Sequence, residues 1–318
     1  MQGSKKIRGP TKLAKKLTIL VVACVPLTSL SPLKATTTDA QTMTPGDCAE
    51  ESATLLGDTL ARFECLPANE QASVLRDRVE DGSLDELPDA RIVALVKDMK
   101  SAAVIAYVRL IVGGEGSYEY RMRRRERING QWPALDDHME VRGQDMPQRI
   151  YVRWLSDGAH AGQELIYDET QDPNHFQGHF GGALRLFSGK FRIDGTIART
   201  QSRHSVRDLG LPFIVRTLEH DANSFETEGL SAQPDHVEVL HPAGKRLLAV
   251  TWDAPTGPPA HFAPRVTLIL DLRRAQLDGV TAEDRDSTLL EQIDFEQIVH
   301  RTWTDSTFDP HNPSYNFR

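Results

Sequence analysis

The spacing of hydrophobic positions changes once along the chain. From Ala49 to about Leu110 it is helical. Leu55, Leu56, Leu60 and Phe63 share one 3.6-period face, and Pro67 opens a second short helix carrying Val74, Leu75 and Val79. Pro88 stands at the first position of a third helix, with Ile92, Leu95, Val96 and Met99 at i, i+3, i+4 and i+7, running to Gly113-Gly114. From Gly116 the period falls to two. Tyr118, Tyr120 and Met122 alternate with Arg121, Arg123, Arg125 and Arg127, and Ile128-Asn129-Gly130-Gln131 predicts a hairpin turn.

Further strands are expected at His138–Arg142, Arg149–Leu155, Gln163–Asp168 and Asn174–Phe180, each bounded by turn-forming residues. A helix follows with Pro212 near its start and Phe213, Ile214 and Leu218 on one side. Strands at Val237–Leu240, Leu247–Trp252, Arg265–Leu272 and about Ile293–Trp303 close the chain. Helices first, then short antiparallel strands with one late helix, predict an α+β architecture. No internal repeat interrupts the pattern.

The first 35 residues stand apart. They hold seven of the 37 basic side chains (Lys5, Lys6, Arg8, Lys12, Lys15, Lys16, Lys34) and no Asp or Glu. The formal charge of −8 therefore becomes −15 without them, 30 basic against 45 acidic residues. A body this acidic is a poor partner for nucleic acid, which needs a field of opposite sign. The basic stretch to Lys16, the apolar run Leu17–Leu27 and the Ser-rich segment to Ala35 have the layout of a secretory signal peptide. Pro26, Thr28, Ser29, Ser31 and Pro32 break the run too early for a membrane span. Cleavage after Leu33-Lys34-Ala35 releases a soluble exported protein. Val21-Val22-Ala23-Cys24 offers the alternative, a lipobox in which Cys24 is acylated. Residues 36–47 read as a linker and 48–90 as a helical extension, ahead of a main domain at 91–318. In an oxidising compartment Cys48 and Cys65 are an even pair whose bridge is worth roughly 3 kcal/mol.

Candidate chemistry is sparse. The arginine run from Arg121 to Arg127 is expected to line a solvated strand face, with Arg121, Arg123 and Arg125 as a headgroup site if they reach a cavity rim. His175 and His179, four apart, sit near Asp168, Glu169 and Asp172, but no HExxH accompanies them. Ser202, His204 and Asp208 offer triad residue types without a GxSxG elbow. No P-loop or GxGxxG is present, and no cofactor or metal is expected. The strands instead offer apolar faces, as in Ile150/Val152/Trp154, that a helix at Pro212 covers. Those faces enclose either an apolar cavity or an ordinary filled core, and the filled core is the plainer reading of the residues alone.

Several segments resemble a known family. Tyr118–Gly130 looks like its opening strand pair. Pro147-Gln148-Arg149-Ile150-Tyr151-Val152-Arg153-Trp154 and Ala161-Gly162-Gln163-Glu164-Leu165-Ile166-Tyr167 resemble its central strands. His179-Phe180-Gly181-Gly182 and Arg203-His204 with Leu209-Gly210-Leu211 fit its middle, and Phe308–Arg318 fits its end. The chain is similar, over about 95–318, to the exported bacterial family DUF1571, itself related to the lipoprotein-localisation factors (LolA/LolB-like). The resemblance implies a curved antiparallel half-barrel closed by helices, with an apolar interior suited to acyl chains, and assigns no catalytic residue.

The expected function is therefore non-catalytic binding of a lipid or acylated ligand in the periplasm, with an envelope protein as a further partner. The expected lining is Tyr120, Met122, Ile150, Val152, Trp154, Leu165, Tyr167, Phe213 and Ile214. A metal-dependent hydrolase built on His175, His179 and His204, and a scaffold without ligand, are the alternatives.

Overall fold

The computed structural model describes residues 63–112, 116–256 and 261–317, all within one compact unit, Pro45–Arg318. The signal segment, the linker, Cys24 and Cys48 lie outside the described residues, as does most of the first expected helix. Cys65, the other half of the expected disulfide, is half-buried.

Helix α1 (Ala68–Glu80) follows Pro67 and buries Gln71, Ala72, Leu75 and Val79 on one face. Helix α2 (Asp89–Asp98) follows Pro88 and buries Ile92, Leu95 and Val96. Helix α3 (Ser101–Val112) is apolar on most sides and correspondingly buried. The sequence pattern predicts one helix from Pro88 to Gly113, but Met99 is extended, at φ −64° and ψ 148°, and splits it in two. Side chains from elsewhere take up the freed backbone groups. The amide of Lys100 donates to Gln71 Oε1 at 3.0 Å, and Gln233 Nε2 donates to the Met99 carbonyl at 2.9 Å. The break is a tertiary decision, since both partners lie far away in sequence.

The strands are β1 (Ser117–Glu126), β2 (Asp137–Gln144), β3 (Arg149–Trp154), β4 (Glu164–Asp168), β5 (His175–His179), β6 (Ser188–Arg192), β7 (His236–Leu240), β8 (Leu247–Asp253), β9 (Arg265–Asp271), β10 (Gln276–Glu283) and β11 (Leu289–Arg301). They form one sheet in the order β6-β5-β4-β3-β2-β1-β11-β10-β9-β8-β7, every neighbouring pair antiparallel. Two meanders are thus joined through the first and last strands, and β6 and β7 remain as edges. The sheet is not closed into a barrel.

Asn129 (φ 51°) and Gly130 (φ 77°) make the expected Asn-Gly turn between β1 and β2. Strands β6 and β10 were not legible in the sequence. The first is a short, half-exposed edge, and the second carries Gly279 at a register shift, which breaks the apolar alternation. The link from β6 to β7 carries α4 (Thr196–Gln201) and α5 (Leu211–Thr227), with Pro212 at the start of α5.

Each face of the sheet has its own apolar cluster. On one, Tyr118, Tyr120, Met122, Met139, Val141, Ile150, Val152 and Leu165 join residues of α1, α2, α3 and α5 in the main core. On the other, Tyr151 and Ile166 meet Phe308, Tyr315, Trp303 and Phe317 from the C-terminal segment. We refer to these as the helix face and the tail face. Buried Arg246, between β7 and β8, ties the sheet to the helices by donating to the carbonyls of Asp85 and Leu87 and pairing with Asp89.

Candidate functional site

Helix α5 lies over the middle of the helix face, and the cover is incomplete. Leu211, Val215 and Phe225 are buried, whereas Phe213, Ile214 and Leu218 are only half-buried. Beneath it is a cavity of about 60 Å³ walled by Leu211, Phe213, Ile214 and Leu218 on the helix side and by Tyr120, Met122, Val266, Leu268, Val280, Ile293 and Phe295 from strands β1, β9, β10 and β11 on the sheet side. A second cavity, of about 70 Å³, lies against Trp154, Leu165, Phe176, Phe191 and Ile197. Both volumes fall well short of the roughly 300 Å³ at which a ligand pocket begins. Arg124, His204 and Leu209 line both.

Of the expected lining residues, Tyr120, Met122, Phe213 and Ile214 face the first cavity, and Trp154 and Leu165 the second. Ile150, Val152 and Tyr167 line neither and are packed in the main core. Tyr120 and Tyr118 also fix α5. The Tyr120 hydroxyl donates to the Leu209 carbonyl, and the amide of Leu211 donates to the Tyr118 hydroxyl.

Between the cavities lies a buried charged cluster that the sequence reading missed. Arg124, Glu126, Asp137 and Glu291 are all buried on the helix face. Arg124 donates to Asp137 Oδ2 at 3.1 Å and to Ser202 Oγ at 3.2 Å, and lies 3.6 Å from Glu126 Oε2. Asp137 also accepts from Trp154 Nε1 at 3.0 Å and pairs with His160 Nδ1 at 2.8 Å. Glu126 Oε1 accepts from Ser202 Oγ and from the amide of Arg203. His204 Nε2 stands 2.7 Å from Glu291 Oε2 and 3.5 Å from Glu126 Oε1. Its ring stacks on Phe262 and meets Phe213 edge-on. Burial opposes a charge on this imidazole, but the hydrogen bond to Glu291 and the charges of Glu291 and Glu126 outweigh it, so its pKa lies above the ordinary value. Among the described residues, Glu126, His204 and Glu291 are the grouping whose ligand atoms all lie within 4.8 Å.

A signal for this cluster does exist in the sequence. Arg124 and Glu126 occupy the same strand phase as Tyr118, Tyr120 and Met122, so an alternating strand buries two charges with its apolar residues. Glu291 keeps the phase of Ile293 and Phe295, in a strand that begins earlier than the pattern predicts.

The same alternation corrects the headgroup expectation. Arg121, Arg123 and Arg125 point to the tail face, away from both cavities, and each has acidic company. Arg121 lies 3.8 Å from Glu140, Arg123 pairs with Asp157 and Glu296 at 2.9 Å each, and Arg125 pairs with Asp136 at 2.9 Å.

The three histidines of the hydrolase expectation do not meet. His175 pairs with Asp172, while His179 is buried beside Glu164 and Phe317. Only His204 belongs to the charged cluster. Ser202, His204 and Asp208 form no triad either. The Ser202 hydroxyl serves Glu126 and Arg124, and Asp208 accepts the Ser205 amide at 2.9 Å in a capping box.

Three solved structures illustrate what the chain is similar to. A conserved protein from Thermus thermophilus aligns at 9% identity and TM-score 0.37, covering 66% of this chain and 93% of that one. A LolA superfamily protein from Nitrosomonas europaea aligns at 8% identity and TM-score 0.28, covering 66% and 98%. A chain of the Pseudomonas aeruginosa MucA/MucB complex aligns at 13% identity and TM-score 0.33, covering 65% and 59%. No curated protein matches. The sequence model described as "Protein of unknown function (DUF1571)" matches residues 116–317, which take in the sheet, α5 and the charged cluster, and the chain belongs to that family.

Proposed function

We propose that this is an exported bacterial protein that binds a lipid-like or acylated ligand between α5 and the sheet, without chemistry. The observation that carries the reading is the apolar cavity under α5, whose Phe213, Ile214 and Leu218 are only half-buried, with a second cavity adjoining it beneath Ile197, Gln201 and Leu209. A cavity of about 60 Å³ does not hold an acyl chain as it stands. The ligand takes the place of those α5 side chains as the helix lifts, and each buried methylene contributes about 0.8 kcal/mol. Export rests on the signal-like first 35 residues. Among the described residues, no helix is long and apolar enough to cross a membrane.

The small cavities favour a second reading, a filled-core envelope scaffold whose acidic surface meets a basic partner. Native mass spectrometry and lipid extraction of protein produced in a periplasm separate the two. Ligand carriage predicts co-purified lipid, lost in Val280→Phe, which fills the first cavity. A lipid-free protein whose thermal midpoint ignores every fatty acid and lysophospholipid offered leaves the scaffold.

A further inference from the structure

Glu126 and Glu291 are register partners on the adjacent strands β1 and β11. Both side chains lie on the helix face, and they are 4% and 2% exposed. Two carboxylates directly opposite one another repel, and burial sharpens the repulsion. The nearby guanidinium offsets only part of it, because its charge reaches Glu291 without forming an ion pair. Arg124 is shared between Asp137 at 3.1 Å and Glu126 at 3.6 Å, and those are its ion pairs. Glu291 Oε1 is buried without a hydrogen-bond partner, on a side chain that lines the first cavity. An unpartnered carboxylate oxygen in a buried site is costly, and it marks a place where a further positive group belongs.

We propose that Glu126, Glu291 and His204 bind a divalent transition-metal ion beside the first cavity. One imidazole nitrogen and two carboxylates are a donor set suited to Zn²⁺, Fe²⁺ or Mn²⁺. Ligand atoms around such an ion, at about 2.0–2.2 Å each, stand roughly 3–3.5 Å apart. Here His204 Nε2 is 2.7 Å from Glu291 Oε2 and 3.5 Å from Glu126 Oε1, and all three atoms lie within 4.8 Å. The outer contacts needed to hold the ligands are also in place. Ser202 Oγ and the Arg203 amide fix Glu126, and Phe262 and Phe213 fix the His204 ring. Of the three side chains, His204 and Glu291 also line the first cavity.

The test uses the full chain, stripped with a chelator and freed of lipid, so its outcome does not depend on what the cavity binds. Titration with Zn²⁺ should show one ion per chain and a raised thermal midpoint. Co²⁺ should give visible d–d bands without a thiolate charge-transfer band. Glu291→Gln keeps the side-chain volume and relieves the like-charge pair, and it should weaken binding at least tenfold while the fold persists. Should that variant fail to fold, Glu126→Gln carries the same expectation. A wild-type chain indifferent to Zn²⁺ would mean that an imidazolium alone bridges the carboxylates, and it overturns the proposal. So does a thiolate band, or binding that neither substitution alters.

Discussion

The amide of Leu211, the first residue of α5, donates to the hydroxyl of Tyr118 at 3.2 Å across 93 positions of sequence. Tyr120, two residues along the same strand, holds the Leu209 carbonyl through its own hydroxyl. Both rings are buried and stacked with centroids 6.0 Å apart, so β1 grips the start of α5 with two phenols. The far end of the helix has no comparable grip from these tyrosines. If α5 lifts to admit a ligand, these two hydrogen bonds are what the motion breaks.

Removing both hydroxyls should therefore loosen the helix without emptying the core. The Tyr118→Phe/Tyr120→Phe variant is expected to lose about 1 kcal/mol of stability per hydrogen bond. Amide exchange should quicken at Leu211–Thr227 more than in the central strands. Uniform quickening across the sheet would instead mean that the tyrosines hold the whole core.

Asp145 gives a pH dependence of definite sign. Burial pushes its carboxyl up to about 6, and the Tyr118 hydroxyl and Arg216 offset only part of that effect. Between about pH 4 and pH 6 the folded chain therefore holds a proton that the unfolded chain releases. Stability contributed by this group falls as pH rises through that window, and the cost is complete above it. Asp145→Asn should gain up to about 2 kcal/mol at pH 8 and nothing below pH 4. Urea denaturation at the two pH values measures this, and a gain independent of pH would contradict it.

Gly143 faces Tyr118 across β1 and β2, and a Cβ built there would lie 2.2 Å from the Tyr118 ring. Gly143→Ala should cost about 1–3 kcal/mol through overpacking. Combining it with Tyr118→Leu should cost less than the two changes summed, because they share one collision. Strict additivity in chemical denaturation would count against a steric origin.

The C-terminal segment should behave as a staple on the tail face. Tyr315 stacks on Tyr151 with centroids 4.1 Å apart and donates its hydroxyl to the Thr307 carbonyl at 2.7 Å, while Glu164 accepts from the backbone and side chain of Asn316. Tyr315→Ala is expected to cost about 3–4 kcal/mol. Limited proteolysis should then cut within residues 303–317 first, and an unchanged digestion pattern would show that the stack is dispensable.

How much of this was legible in advance depended on whether local pattern and tertiary environment agreed. Strands β3 and β4 are short, mostly buried runs bounded by turn-forming residues, so their bounds are close to those expected from Arg149–Leu155 and Gln163–Asp168. The Met99 break was hidden because Gln71 and Gln233, which make it tolerable, come from other parts of the chain. The cavity wall was half legible. Tyr120, Met122, Phe213 and Ile214 carry the apolar signal, but Val266, Val280 and Phe295 reach them only through the β1–β11 pairing.

The sequence by itself determined the α+β class, the family, the acidic body behind a basic leader-like segment, and which strand residues share a face. The family is carried by the resemblance of particular segments, and the rest follow from period and composition, which are local properties. Only the tertiary structure decided that Arg124 and Glu126 lie in the core while Arg121, Arg123 and Arg125 meet Glu140, Asp136, Asp157 and Glu296 on the opposite face. It also decided that Glu291 and His204 come to Glu126. A buried charge is tolerable only where distant partners converge on it, and that convergence is a property of strand order and of the long link through α5, not of any segment read alone.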